Sequence, residues 1–229
     1  MALTPKDIAG MLDHSMLQPW LTDGDIRKGC EVALKYETAS VCARPCDVPI
    51  LAEMLEGSPV KVCTVIGFPH GAHETAVKAA EAELALNEGC RELDMVINIG
   101  KLKSGDADYV EEEIRCLAGI AHAGGAILKV ILEMCYLTEE EKILACKLSE
   151  RAGADFVKTS TGYGSGGCTM EDLKLMRANV SDRVRIKASG GIRDLDTVLA
   201  AREAGASRCG VSATVKIMEE AEKRLGGKE

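Results

Sequence analysis

Residues 126–133 read Ala-Ile-Leu-Lys-Val-Ile-Leu-Glu, an apolar run broken only by Lys129 before it ends at Glu133. A strand with one wet face alternates apolar and polar residues. A run this continuous suits a strand buried on both faces, as in a parallel sheet covered by helices. Residues 62–68 (VCTVIGF) and 94–99 (DMVINI) repeat the pattern. Working outward, eight candidate strands emerge: Leu12–Leu17, Ala39–Ala43, Lys61–Gly67, Glu92–Asn98, Ala126–Glu133, Asp155–Ser160, Val184–Ser189 and Ser207–Ser212.

Helical stretches follow the strands. Thr22 with Asp25, Thr138 with Glu141 and Thr169 with Asp172 each set a hydroxyl three residues before an acid, the spacing of a capping box. Thr4-Pro5-x-Asp7 places a cap and a first-turn proline ahead of the first strand, so a short N-terminal helix is expected. The stretches 73–87, 138–151 and 197–203 are followed closely by Gly89, Gly153 and Gly205, glycines suited to the left-handed position just past a helix. Eight strands alternating with helices in 229 residues predict an α/β fold, a single (β/α)8 TIM barrel over residues 1–229. A doubly wound open sheet is the alternative, but no G-x-G-x-x-G follows an early strand. Five residues beyond the three glycines stand Asp94, Lys158 and Gly210. These mark the fourth, sixth and eighth strands, and alternate barrel strands share inward layers. Asp94 and Lys158 are therefore expected at matching heights in the lumen.

The composition narrows the function. Net charge is −8 and aromatics are 3%, which argues against a phosphate-backbone or base-stacking surface for nucleic acid. No apolar run reaches the roughly 18 residues of a membrane span, and the first residues, MALTPKDIAGML, lack a signal-peptide pattern. A cytoplasmic protein is expected, in which ten scattered cysteines are chiefly small buried thiols. Cys42 and Cys46 are the closest two, and no second pair completes a zinc site by spacing. No metal and no cofactor is expected.

Lys158, in DFVKTSTG, and Lys187, in RVRIKASGG, each end an apolar strand. An inward lysine is costly unless paired. Burial and a second cation both lower an amine's pKa, and carbonyl chemistry needs the neutral amine. The bland reading has each lysine pairing with a carboxylate at the barrel mouth. Asp94, in RELDMVINIG, and Lys129 are further charged residues inside apolar strands. Asp94 reads as a proton relay or as half of a structural ion pair. Thr161-Gly162, Gly190-Gly191 and Gly210-Val211-Ser212 follow the last three strands, where barrels often bind phosphate through backbone N–H groups. Arg193 adds a charge there or caps a solvated face. His14, His70, His73 and His122 show no metal spacing, and His70 and His73 read as loop residues.

These segments together resemble a known family. LDHSML, ASVCARP, VCTVIGFPHGAHETAVKAAEAE, ELDMVINIGKL, LKVILE, GADFVKTSTGYG, IKASGGIRD and GVSA, in order from Leu12 to about Ser212, are similar to deoxyribose-phosphate aldolase. The resemblance implies reversible cleavage of 2-deoxy-D-ribose 5-phosphate to glyceraldehyde 3-phosphate and acetaldehyde. It implies Lys158 as the Schiff-base lysine, Lys187 as the second lysine that lowers the first one's pKa, and Asp94 as the acid in proton transfer. Asp13, Lys129 and Cys42 match pocket residues; Thr161, Gly162, Gly190, Gly191, Gly210 and Ser212 match the substrate and phosphate loops. The expected partner is a small phosphorylated sugar, with no nucleic acid and no membrane, and the expected state is a homo-oligomer, dimer or tetramer.

The first motif, DHSMLQP, departs from the family's DHTLLKP: Ser15 keeps a hydroxyl and Gln18 removes a charge. Ser212-Ala213 stands where two serines are usual, and the final GGKE lacks the C-terminal tyrosine some members carry. Three rivals remain: another Schiff-base barrel aldolase acting on a different phosphorylated aldehyde or ketone, a barrel that senses a sugar phosphate without chemistry, and an isomerase barrel, which would usually want a carboxylate base and no imine.

Overall fold

The structure, a computed structural model, describes residues 3–226; the last three residues of the GGKE tail lie outside them. Eight strands, β1 (Leu12–Met16), β2 (Ser40–Ala43), β3 (Lys61–Ile66), β4 (Glu92–Val96), β5 (Ile127–Ile131), β6 (Phe156–Lys158), β7 (Arg185–Ser189) and β8 (Arg208–Val211), close into a barrel. Each pairs in parallel with its chain neighbour, and β8 closes on β1 through Asp13 opposite Gly210. All eight expected strands are present, each a little shorter than its apolar run. The fifth stops at Ile131 because Glu133 has turned to φ 55°, ψ 62°, a left-handed conformation that ends pairing.

The helices are α1 (Pro5–Ala9), α2 (Asp23–Tyr36), α3 (Val48–Met54), α4 (Thr75–Asn87), α5 (Ile99–Lys103), α6 (Ala107–Ala123), α7 (Glu139–Arg151), α8 (Met170–Asn179), α9 (Leu195–Glu203) and α10 (Thr214–Leu225). Thr4, Thr22 and Thr138 form complete capping boxes with Asp7, Asp25 and Glu141. Thr169 caps Asp172 N–H at 3.0 Å, but the Asp172 carboxylate goes instead to Lys142 at 2.6 Å. The short α5 ahead of α6 after β4, and the 3-10 turn before α3, break the simple one-strand, one-helix rhythm.

Gly89, Gly153 and Gly205 stand just beyond α4, α7 and α9 at φ of 106°, 92° and 105°. The next amide reaches back to the helix at each: Cys90 to Ala85, Ala154 to Ser149 and Ala206 to Ala201, each 2.9–3.0 Å. These are Schellman ends, which turn the chain sharply into the next strand.

The outward side chains of the strands pack on the helices in one continuous apolar core. The lumen is different. Following the strand pairing, alternate strands share each level. Ser40, Glu92, Phe156 and Arg208 fill the lowest level; Asp13, Cys63, Lys129 and Lys187 the next; Cys42, Asp94, Lys158 and Gly210 the one above; and Ser15, Val65, Ile131 and Ser189 the rim. Seven of these inward residues are ionisable Asp, Glu, Lys or Arg, so this barrel is filled by a charge network.

Candidate active site

The network centres on Asp94, which is fully buried. Its Oδ2 accepts from Lys158 Nζ at 2.6 Å and from Lys187 Nζ at 2.7 Å; its Oδ1 accepts from Lys129 Nζ at 2.8 Å. Lys129 also reaches Glu92 at 2.6 Å, and Lys187 lies 2.5 Å from Asp13 Oδ2. Below them Arg208 donates to Asp13 and bridges to Glu92 at 3.2 Å through both terminal nitrogens, its guanidinium 5.6 Å from the centre of the Phe156 ring. Ser40 Oγ donates to Asp13 at 2.7 Å.

The electrostatics follow from that packing. Burial alone would raise the Asp94 pKa, but the charges on Lys129, Lys158 and Lys187 outweigh it and hold the carboxyl well below the ordinary range. Asp13 behaves alike under Lys187, Lys129 and Arg208. Burial would lower Lys187, yet Asp13 and Asp94 hold it above the usual lysine value, so Lys187 stays an ammonium. Four cations (Lys129, Lys158, Lys187, Arg208) face three carboxylates (Asp13, Glu92, Asp94). The set thus holds one more basic group than acidic ones. Lys158 has a single carboxylate contact among the described residues and borders the open cavity.

That cavity has a volume of about 220 Å³ and opens at the C-terminal ends of the strands. It brings together Asp13, Cys42, Lys158, Lys187, Thr161, Gly162, Gly190, Gly191, Gly210 and Ser212, all of them picked out by sequence, and Arg193 as well. Asp94 and Lys129 lie beneath the floor: Asp94 reaches the cavity through Lys158 and Lys187, and Lys129 is one step further down, bound to Asp94. Gln18, at the departure from the family's first motif, lines the wall.

Some positions play parts the sequence did not suggest. Thr161 lines the cavity, but its hydroxyl and N–H both donate to buried Glu133. Its oxygen accepts from Tyr163 N–H at 3.0 Å. Tyr163 in turn donates its hydroxyl to Leu17 C=O at 2.8 Å and packs edge-on against Phe68 at 5.4 Å, tying two loops across the mouth. Gly210 leaves room for a lysine stem, since a Cβ there would lie 3.1 Å from Ser189 Cβ and 3.3 Å from Lys187 Cε. Gly190 and Gly191 both hold φ of 87°, the left-handed backbone that glycine adopts without strain. Glu92 and Arg208 were missed although a signal existed: each lies two residues before Asp94 or Gly210, so it shares their inward parity. Glu133 and Tyr163 left no such signal, because loop contacts have no period.

Comparison with known proteins bears on this geometry. The sequence signature of the DeoC/LacD family aldolase matches residues 3–219. A deoxyribose-phosphate aldolase of Rhodopirellula baltica is 50% identical over 96% of this chain and 91% of its own length. Another, of Caldanaerobacter subterraneus, is 52% identical over 95% of each. Among solved structures, a tetrameric deoxyribose phosphate aldolase of Aeropyrum pernix superposes with a TM-score of 0.89 at 34% identity, covering 97% of this chain and 93% of that one.

Proposed function

The chain belongs to the DeoC/LacD aldolase family, and from that membership we propose that it is a deoxyribose-phosphate aldolase, an aldehyde-lyase that reversibly cleaves 2-deoxy-D-ribose 5-phosphate to glyceraldehyde 3-phosphate and acetaldehyde. The observation that carries the reading is Lys158 at the cavity floor, sharing one carboxylate oxygen with a second lysine, Lys187.

In this reading, the Lys158 amine attacks the open-chain aldehyde. The carbinolamine loses water to a protonated imine, the electron sink. A base takes the proton of the hydroxyl on the second carbon from the imine. The carbon–carbon bond breaks, glyceraldehyde 3-phosphate leaves and an enamine remains. Protonation of the enamine carbon and hydrolysis release acetaldehyde and the amine. Lys187 stands beside Lys158 on the same carboxylate oxygen. Asp94 Oδ2 links the two nitrogens at 2.6 and 2.7 Å, a ready path for a proton to leave and return. Asp13 and Lys129 hold this constellation, and Cys42 forms part of its floor. At the far end, Gly162, Gly190, Gly191, Ser212 and Arg193 receive the phosphate and supply remote binding energy. The mechanism needs no cofactor.

The same reading takes the chain as one catalytic domain that works as a homo-oligomer in the cytoplasm. The tetrameric Aeropyrum relative supports the assembly, and ten free thiols suit a reducing compartment. No described helix is long and apolar enough to cross a membrane.

The deciding experiment is borohydride reduction in the presence of deoxyribose 5-phosphate or acetaldehyde, read by intact and peptide mass. A reduced adduct on Lys158, absent from Lys158→Ala, is expected. A folded protein that yields no adduct would return the sugar-phosphate sensor to first place.

A further inference from the structure

The aldol mechanism leaves two buried thiols unused. Cys42 and Cys63 sit opposite one another on β2 and β3. Their sulfurs and one carboxylate oxygen of Asp94 all lie within 4.8 Å of each other. Cys63 Sγ is 3.4 Å from Asp94 Oδ1 and 3.4 Å from Lys129 Nζ. Cys42 borders the cavity, so a small ion entering from solvent meets its sulfur first, with Cys63 and Asp94 behind it.

We propose that Cys42, Cys63 and Asp94 form an inhibitory binding site for a thiophilic divalent cation of the zinc and cadmium class.

Ligand type comes first. Two sulfurs and one carboxylate select soft or borderline ions over magnesium or calcium. Size agrees. Zinc–thiolate bonds of about 2.3 Å give tetrahedral edges of about 3.8 Å, and side-chain rotation spans the difference from the present separations. The fourth position faces the cavity, where a water or the substrate's oxygen completes the shell.

The ammonium groups of Lys129 and Lys187 look hostile to a dication, but the exchange is neutral. The ion binds, two S–H bonds give up their protons to solvent, and two S–metal bonds form. Two positive charges enter and two leave, with no change of oxidation state. The ion's cost is instead paid by Asp94, which must turn an oxygen from Lys129 or from the Lys158–Lys187 pair toward the metal. That is why the ion inhibits and is not a cofactor. Binding stands independently of the aldolase reading; the inhibition rests on it.

The test is titration of the fully reduced, oxygen-free protein with cadmium chloride. It is followed by sulfur-to-cadmium charge-transfer absorption, by proton release in weak buffer and by native mass. One cadmium per chain with two protons released is expected at this site. Cys63→Ser and Cys63→Ala should each weaken it on the order of 100-fold or more, since even outer-shell changes cost 10–100-fold. Cys46→Ser, which alters an exposed thiol, should leave it intact. Equal binding in both folded Cys63 variants, or binding without charge-transfer absorption, overturns the site. In parallel, cleavage of deoxyribose 5-phosphate should fall with site occupancy and return with EDTA. Full activity with the site filled overturns the inhibition, and no cleavage before any cadmium is added counts against the aldolase reading alone.

Discussion

Lys158 and Lys187 donate to the same atom, Asp94 Oδ2, at 2.6 and 2.7 Å. A single carboxylate oxygen thus sets the spacing of two amines that chemistry needs in different charge states. Asp94→Asn keeps the shape and removes the charge. We expect kcat to fall about 100-fold or more, the usual range for a lost proton-transfer group. KM should change little, because Asp94 does not line the cavity. Steady-state kinetics separate the two, and the yield of borohydride-trapped Lys158 should fall with kcat.

Arg208 is the cation on which the lowest level depends, bridging Asp13 and Glu92. Arg208→Met takes one cation from each carboxylate, while Lys187 still meets Asp13 and Lys129 still meets Glu92. A loss of about 2–3 kcal/mol of unfolding free energy is expected, below the range for a buried charge left with no partner at all. The double variant Arg208→Met with Glu92→Leu should recover part of it. Urea denaturation of the four proteins closes the cycle.

Gly210 distinguishes two roles for one residue. If it serves only to admit phosphate, Gly210→Ala raises KM and spares kcat. The contact with Lys187 Cε at 3.3 Å argues the opposite: the new methyl displaces the lysine, so kcat should fall about tenfold. Stability should drop by about 1–3 kcal/mol, as for other overpacked sites. Kinetics on the purified variant, with a melting curve beside it, decide.

Arg193 lines the cavity and makes no ion pair among the described residues. Arg193→Ala should raise KM for deoxyribose 5-phosphate about tenfold, the value of one charged hydrogen bond. Unphosphorylated 2-deoxyribose should be turned over as before.

His14 gives the protein a pH dependence away from the site. It lies outside the lumen with Nδ1 2.8 Å from Thr214 Oγ1, and burial pushes its pKa down to about 4. The unfolded chain takes up the proton near pH 6.5. Between about pH 6.5 and 4 the unfolded state therefore binds more protons and stability falls as pH falls, by up to about 3 kcal/mol in all. Asp13 and Asp94 are held low, so their stabilisation is lost only below the ordinary carboxylate range, beneath this window. Denaturant midpoints across the window should slope for the wild type and flatten in His14→Asn.

The sequence made the wall of the barrel legible and its filling less so. Runs such as 126–133 announce buried strands because parallel strands have no polar face to hide them. Capping threonines announce helix starts because the hydroxyl-to-amide bond is local. Lys158, Lys187 and Asp94 stood out as charges in apolar strands. What did not show was which of them touch. Lys129 read as a pocket residue and lies under the floor, and Thr161 lines the cavity while its hydroxyl and N–H turn to Glu133. Those facts depend on the stagger of neighbouring strands and on loop geometry. The pairing of Cys42 with Cys63 is of the same kind: residues 21 apart in the chain are set side by side only by strand register.

The Schellman turn at Gly153 has a consequence for how this chain tolerates change. It fixes where β6 begins, and residues 154–157 are the whole distance to the amine at Lys158. In a strand, sides alternate with every residue. Inserting or deleting one residue in that interval would send the amine out among the helices. A change of two would return it to the lumen on a level where Asp94 does not stand. Residues 154–157 are therefore a ruler graduated in pairs, while the loop beyond Lys158 is bound by no such counting. Length variation in this protein should be admitted after the lysine and refused before it.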